Sequence, residues 1–391
     1  MTGTVFSPVP TSVPVRPVSS RRLLSGVFAL LGVVMAMWGA RMPAVQAAAH
    51  LSPGRLAIVL LAAAAGMVLG LQMGGRLAHR YGPARLLVGP AIIFGLSLVL
   101  LGTCRTLTSL SLVAIVFGLG HGLLDVGANS AAVNLERAYQ RRIMSSLHCA
   151  YSLGALAGAG LAALTAWAPY QVLFVAVGLL TATAAAAAIP LIRSAEHLDA
   201  PAQPSPAERD ETPQLQRRTV WLLGFLAAAC LLGEGAAADW SAVHLHTLHT
   251  SETIAAAAYA AYSAAMVVGR LFGDRLNARF GPTAVARAGA ALAATGLGAG
   301  LLIGSAPAAL IGWMALGLGL STAVPSLISA AGRGGPRAVG AVAATGYLGL
   351  LLGPAAIGAL ASLTSLPIAL ALPVLLAAAV ALFAHRALDP K

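Results

Sequence analysis

The chain has 391 residues, of which 58% are hydrophobic and only 9% charged, with a mean hydropathy of +0.84. Soluble domains carry roughly 25% charged residues, so this composition excludes an ordinary water-soluble enzyme, a disordered chain and a fibrous repeat. The net charge of +12 does not signal nucleic acid either, because the basic residues fall in short clusters between apolar runs rather than along one face.

Residues 1–22, rich in Pro, Ser and Val, read as a disordered cytoplasmic tail. Within it, Ser20-Arg21-Arg22-Leu23-Leu24, with Ala47-Ala48-Ala49 downstream, imitates a twin-arginine export signal. A cleaved signal would precede a soluble mature protein, whereas eleven more apolar runs follow here, so 23–40 is read as a retained first span. Crossing the ~30 Å hydrocarbon layer takes ~20 apolar residues. Runs of that kind lie at 23–40, 56–75, 86–104, 108–132, 146–167, 170–192, 219–243, 254–273, 284–305, 308–331, 338–362 and 366–385. Backbone groups in lipid must pair within their own segment, so runs of this length are helices. The expected fold is all-α: a polytopic membrane protein of twelve transmembrane helices.

Between spans 6 and 7, residues 194–218 hold five of the twelve acids and four prolines, a composition that cannot bury a core and reads as a cytoplasmic linker. It separates a six-helix bundle at 23–193 from another at 219–386, with 387–391 as a second cytoplasmic tail. The halves repeat. Gly74-Gly75-Arg76-Leu77-Ala78-His79-Arg80-Tyr81-Gly82-Pro83 after span 2 matches Gly273-Asp274-Arg275-Leu276-Asn277-Ala278-Arg279-Phe280-Gly281-Pro282 after span 8 at six of ten positions, offset by 199 residues. Cytoplasmic loops retain Lys and Arg. With both termini inside, every basic residue except Arg41, Arg55 and Arg105 falls on the cytoplasmic side, Arg270 being counted with the loop after span 8. Both copies of the repeat are then cytoplasmic, so the two six-span halves are parallel repeats, a transporter architecture.

Polar residues inside spans are few. In span 4, His121, Asp125 and Asn129 follow at i, i+4 and i+8 and form one stripe, favouring a cavity-lining face. Glu234 lies about 15 residues, or ~22 Å, into span 7. Asp239 follows near the outer end, about 140° around the helix, where Arg41 at the end of span 1 is its expected partner. A charge at the bilayer centre costs ~3 kcal/mol on insertion scales, so Asp125 and Glu234 are expected to face a polar cavity, pair, or exchange protons. The cysteines Cys104, Cys149 and Cys230 form neither a disulfide framework nor a metal-ligand spacing. No phosphate-cradling motif is present, so neither ATP, a metal, a cofactor nor an enzyme reaction is expected.

On these residues the whole chain resembles the major facilitator superfamily. That family's loop between spans 2 and 3 carries Gly, three residues, Asp, a basic residue, one residue and Gly. Here the segment runs from Gly75 to Gly82 with His79 in the acidic place, a departure that puts a carboxylate-based gating contact of this loop in doubt. Finer matches are to a bacterial MosC-type permease branch, related more distantly to fucose–proton symporters. They are Asp125-Val126-Gly127-Ala128-Asn129, His148-Cys149-Ala150-Tyr151-Ser152-Leu153-Gly154, the stretch from Glu234 to Ser241, and Gly346-Tyr347-Leu348-Gly349. Span 5 also carries the glycines of the family's drug–proton antiporters, Gly154, Gly158 and Gly160, without their proline; read physically, these mean close helix packing.

The resemblance implies a cavity lined by spans 1, 4, 7 and 10. It would be built from Trp38 and Arg41; His121, Asp125 and Asn129; Glu234 and Asp239; and Ser321 and Thr322, with His148 and Tyr347 at its wall. From the repeat, a gate is expected at the loops holding Arg76, His79, Arg80, Asp274, Arg275 and Arg279. There Arg80 and Arg279 would hold the cytoplasmic side closed by contacting helix C-termini or carboxylates across the halves, positive-inside anchoring being the alternative. Function then reads as secondary active transport of a small solute by alternating access, coupled to protons through Glu234 and Asp125. Proton-driven efflux of a drug or secondary metabolite is the alternative, and a non-transporting receptor or scaffold the rival of another class. The expected partners are a small-molecule substrate, protons and the lipid bilayer of a bacterial inner membrane, with no nucleic acid, the chain working as a monomer.

Overall fold

The computed structural model describes residues 17–165, 167–195, 198–199 and 215–389. Twelve principal helices follow in chain order: α1 Pro17–Ala40, α2 Pro53–Tyr81, α3 Gly89–Thr103, α4 Leu107–Tyr139, α5 Met144–Leu164 and α6 Tyr170–Ala187, then α7 Arg217–Thr247, α8 Glu252–Phe280, α9 Pro282–Ile303, α10 Ala306–Leu320, α11 Gly335–Leu363 and α12 Ala371–Leu388. Each coincides with one predicted span. Among the described residues, nine stretches are long and apolar enough to cross a membrane. One of them runs from Ala306 to Leu363 and takes in both α10 and α11, so the nine cover all principal helices except α5 and α8. The chain is a multi-pass membrane protein.

Local chemistry sets the ends. The Thr106 hydroxyl accepts from the Ser109 amide and Ser109 answers with its own side chain, a capping box that starts α4. α2 and α8 stop at equivalent glycines, Gly82 at φ 86° and Gly281 at φ 81°, a backbone region that side chains avoid. In each copy a proline follows and opens the next helical segment. The sequence repeat is therefore a repeat of turn geometry.

Packing repeats as well. In the N-terminal half α1 lies along α5, α2 along α4 and α3 along α6; in the C-terminal half α7 lies along α11, α8 along α10 and α9 along α12. Glycines allow these close approaches. A Cβ on Gly154 would strike the Ala29 carbonyl of α1, and one on Gly158 would sit 2.6 Å from the Val33 carbonyl. Gly154 and Gly158 of span 5 thus serve helix contact, whereas a Cβ on Gly160 would meet nothing within 4 Å. Two seams join the halves, α2 against α11 and α5 against α8.

Two boundaries differ from expectation. Helix α1 begins at Pro17, so residues 17–22 are helical rather than tail, while residues 1–16 lie outside the described residues. Most of the expected linker also lies outside them, but its start is docked. Leu198 is fully buried, its carbonyl accepts from the Asn134 side chain at 3.1 Å, and Asp199 accepts from the Ala84 amide at 2.9 Å. One apolar side chain and one carboxylate thus anchor Leu198 and Asp199, within a segment that bulk composition reads as flexible.

Candidate functional site

The α4 stripe is buried, and it organises one side of the site. Asn129 donates to the Asp125 backbone carbonyl at 2.9 Å, and its Oδ1 lies 3.2 Å from His148 Nε2 of α5. Tyr347 reaches over from α11 and donates to Asp125 Oδ1 at 3.5 Å, a contact between the two halves. His121 stacks on Phe94 with ring centroids 5.3 Å apart and lies 6.2 Å from the Tyr347 ring. The three residues predicted to share a stripe do so, and His148 and Tyr347 join them.

Opposite stands Glu234 on α7, 32% exposed at its side chain, with Arg270 Nη2 of α8 at 3.8 Å. Arg270 is itself only 6% exposed, and its Nη1 donates to Ser152 Oγ on α5. Glu234 and Arg270 belong to the C-terminal half and Ser152 to the N-terminal half, so a charge pair and a hydrogen bond run in series across the α5–α8 seam. Tyr151, Tyr259, Tyr262 and Tyr347 all lie within electrostatic reach of Glu234.

Arg270 is the residue that the sequence reading misplaced. Counted with the cytoplasmic loop, it sits inside α8, ten residues and so ~15 Å from the end of that helix. Two signals mark it: it stands where the first repeat has Leu71, and it continues a stripe with Tyr262 and Met266 at i+4 spacing, all buried.

Several predicted cavity residues point elsewhere. Trp38 is buried among Phe117 and Phe174, with centroids at 5.4 and 6.2 Å, as bundle core. Arg41 is buried and donates to the Thr165 carbonyl at the end of α5, rather than bridging to Asp239, which is exposed on α7. Ser321 and Thr322 fall where α10 breaks before it resumes at Ala323, and they pack on Gly269 and Gly273 of α8. For Trp38, Arg41, Ser321 and Thr322, contacts between helices claim side chains that the resemblance alone would give to a cavity.

The loop arginines follow the same pattern. Arg76, His79, Arg80, Arg275 and Arg279 are exposed. Arg80 lies over the Tyr81 ring at 5.1 Å and Arg279 over Phe280 at 5.2 Å, each stacked on its own neighbour instead of reaching across the halves. Asp274 is the member of this group that crosses. Its carboxylate accepts from the Ser145 and Ser146 amides at 2.9 and 3.0 Å, at the N-terminus of α5, where backbone N–H groups and the helix dipole favour an anion. Below it, Glu136 accepts from the Ile143 and Met144 amides at 2.9 and 3.0 Å and from the Ser329 hydroxyl, while Arg137 donates to the Gly332 carbonyl. These contacts, with Arg270–Ser152 and Tyr347–Asp125 above them, join the halves from the linker side up to mid-span. The conformation is closed on that side.

The Major Facilitator Superfamily profile matches residues 23–334. An uncharacterized MFS-type transporter of Yersinia pestis is 34% identical over 351 residues, covering 88% of this chain and 89% of that protein. The membrane protein MosC of Rhizobium meliloti is 29% identical over 380 residues, covering 93% and 90%. Among solved structures, FucP, the E. coli fucose:proton symporter, in its outward conformation shares the fold at a TM-score of 0.75 and 19% identity, over 94% of this chain and 99% of that one. The chain belongs to the Major Facilitator Superfamily, a family of transporters rather than enzymes.

Proposed function

We propose that the protein carries a small solute across the membrane by alternating access of its two halves, and that protons drive it through Glu234 and Asp125. The observation that carries this reading is the series Glu234–Arg270–Ser152. An ionised Glu234 holds Arg270 by charge, and Arg270 in turn holds the other half through Ser152. A proton on Glu234 removes the attraction. It leaves a buried guanidinium whose remaining partners are Ser152 and whatever solute enters, so protonation, solute binding and the seam are linked through one side chain. Asp125, tied to Tyr347 of the opposite half, is the second acid of the relay and a solute contact. FucP, a fucose:proton symporter of this fold, supports proton coupling here.

The placement of arginines supports both termini and the linker in the cytoplasm of a bacterial inner membrane. Reporter fusions at Arg218 and Ser251 should read inside and outside respectively. The chain is proposed to work as a monomer, with solute and protons as its only partners besides lipid.

The deciding experiment uses proteoliposomes, a panel of radiolabelled solutes and an imposed pH gradient. Glu234→Gln retains a carbonyl for Arg270 but cannot lose a proton, so it should abolish accumulation while sparing exchange between equal pools. Asp125→Asn should weaken both. Undiminished accumulation by Glu234→Gln removes Glu234 from the mechanism.

A further inference from the structure

The N-terminal bundle has a groove that the transport reading does not use. It is a partly open cavity of about 200 Å³ between α1, α3, α4 and α6. Its walls are almost wholly apolar, with Leu31, Phe94 and Ile192 among them, and the hydroxyl of Thr181 is already committed to the Val177 carbonyl at 2.8 Å. On α1 the groove runs from Arg22 through Gly26 to Leu31, nine residues or ~14 Å of helix. That is the depth of one leaflet of a ~30 Å hydrocarbon layer.

Gly26 is exposed, and a Cβ built on it would meet nothing within 4 Å, so the absence of a side chain there keeps the groove open. Arg22 stands at its mouth, exposed, with no hydrogen-bond or ion-pair partner among the described residues. Arg193, also exposed, follows Ile192 at the same end. Asp199, six residues after Arg193, is turned to the Ala84 amide. An apolar channel one leaflet deep with an uncompensated cation at its polar end has the shape and charge of one phospholipid chain below an anionic headgroup. We propose that this groove binds one acyl chain of an anionic phospholipid from the linker-side leaflet, with Arg22 holding the phosphate.

The proposal is independent of proton coupling and is tested on the full chain. Wild-type protein, purified and exposed to phosphatidylglycerol or phosphatidylcholine, is weighed by native mass spectrometry with its retained lipids. One phosphatidylglycerol per chain should survive, preferred over phosphatidylcholine about fivefold, the effect of one arginine at an anionic surface. Gly26→Leu fills the groove with a better helix former and should lose that lipid. Ala188→Leu, a plug from the opposite wall, should lose it too. Arg22→Gln should keep a lipid but lose the headgroup preference. Equal lipid retention by wild type and both plugged variants overturns the proposal, as does equal retention of the two lipids by wild type. Covalent dimers formed in membranes through Gly26→Cys would make a second copy of the chain the occupant and overturn it as well.

Discussion

The two seams between the halves are built from the two copies of one repeat, yet their chemistry is opposite. At the α2–α11 seam the facing residues are Leu71, Gly75 and Gly340, and the contact is backbone against backbone. A Cβ on Gly340 would lie 2.7 Å from the Leu71 carbonyl, and one on Gly75 would lie 3.1 Å from the Pro336 carbonyl. At the α5–α8 seam the positions equivalent to Leu71 and Gly75 are Arg270 and Asp274, bonded to Ser152 and to the amides of Ser145 and Ser146. One seam is held by close packing that no proton or solute alters. The other is held by charges whose strength depends on protonation and on water. With these contacts α2–α11 would serve as pivot and α5–α8 as latch.

The largest test removes the charges of the latch. Glu234→Leu leaves Arg270 buried and unpaired, a defect worth about 3 kcal/mol by the behaviour of broken buried pairs. Arg270→Leu restores the residue type that α2 has at Leu71 and leaves only a one-third-exposed carboxyl, which water or a proton can satisfy. Thermal melts in detergent should therefore rank wild type first, Arg270→Leu next and Glu234→Leu last, with the double variant above Glu234→Leu alone. Equal melts for the two single variants would mean that the pair is not carrying the asymmetry.

How much of this was legible in the sequence follows from what each signal measures. Apolar run length fixed the twelve helices, because the bilayer sets one length for all of them. The Gly-Pro pairs at 82–83 and 281–282 fixed the parallel repeat. The i, i+4 stripe brought His121, Asp125 and Asn129 together because they share one helix and need no partner to be found. Residues whose role depends on another helix did not yield. Arg270 looked like a positive-inside anchor because its depth was judged from nearby arginines rather than from the stripe through Tyr262 and Met266. Trp38, Ser321 and Thr322 were given to the cavity by the span they lie on, as the resemblance implies, and a span does not say which neighbour a side chain meets. Glu136 passed unnoticed because it precedes a loop, where an acid is unremarkable; its role comes from the amides of Ile143 and Met144, which only the turn brings to it.

A steric wedge tests the pivot. Gly340→Ala places a Cβ against the backbone of α2, where nothing flexible can give, so the closed seam should be strained by about 1–3 kcal/mol. The readout is Cys149, buried on α5 with its sulfur 4.0 Å from the Val267 carbonyl of α8, within the latch. In a background lacking Cys104 and Cys230, its alkylation by an impermeant maleimide from the linker side should rise about tenfold. No change would show that the two seams open independently. Asp274→Asn should give the same kind of change on a smaller scale. It keeps the shape but loses the anion at the α5 N-terminus, which is worth about 1 kcal/mol, so Cys149 labelling should rise about fivefold.

The smallest expected effect is at the loop arginines. Arg80 and Arg279 occupy equivalent places in the two copies, and an arginine's planar fork makes it a natural bridge across an interface. If they were gates, Arg80→Lys and Arg279→Lys would each loosen the closed side, because an ammonium cannot reproduce two-pronged bonding. Their geometry argues otherwise. Both lie exposed over the aromatic ring next to them, at 5.1 and 5.2 Å, an arrangement that is the same in pivot and latch. Exposed cation–π contacts are worth about 0.5–1 kcal/mol, and lysine retains part of that. Each lysine variant should therefore label at Cys149 within about twofold of wild type, and the two should behave alike. A large rise confined to Arg279→Lys would instead extend the charged latch into the loop after α8, and the difference between the seams would then include their arginines as well as Arg270 and Asp274.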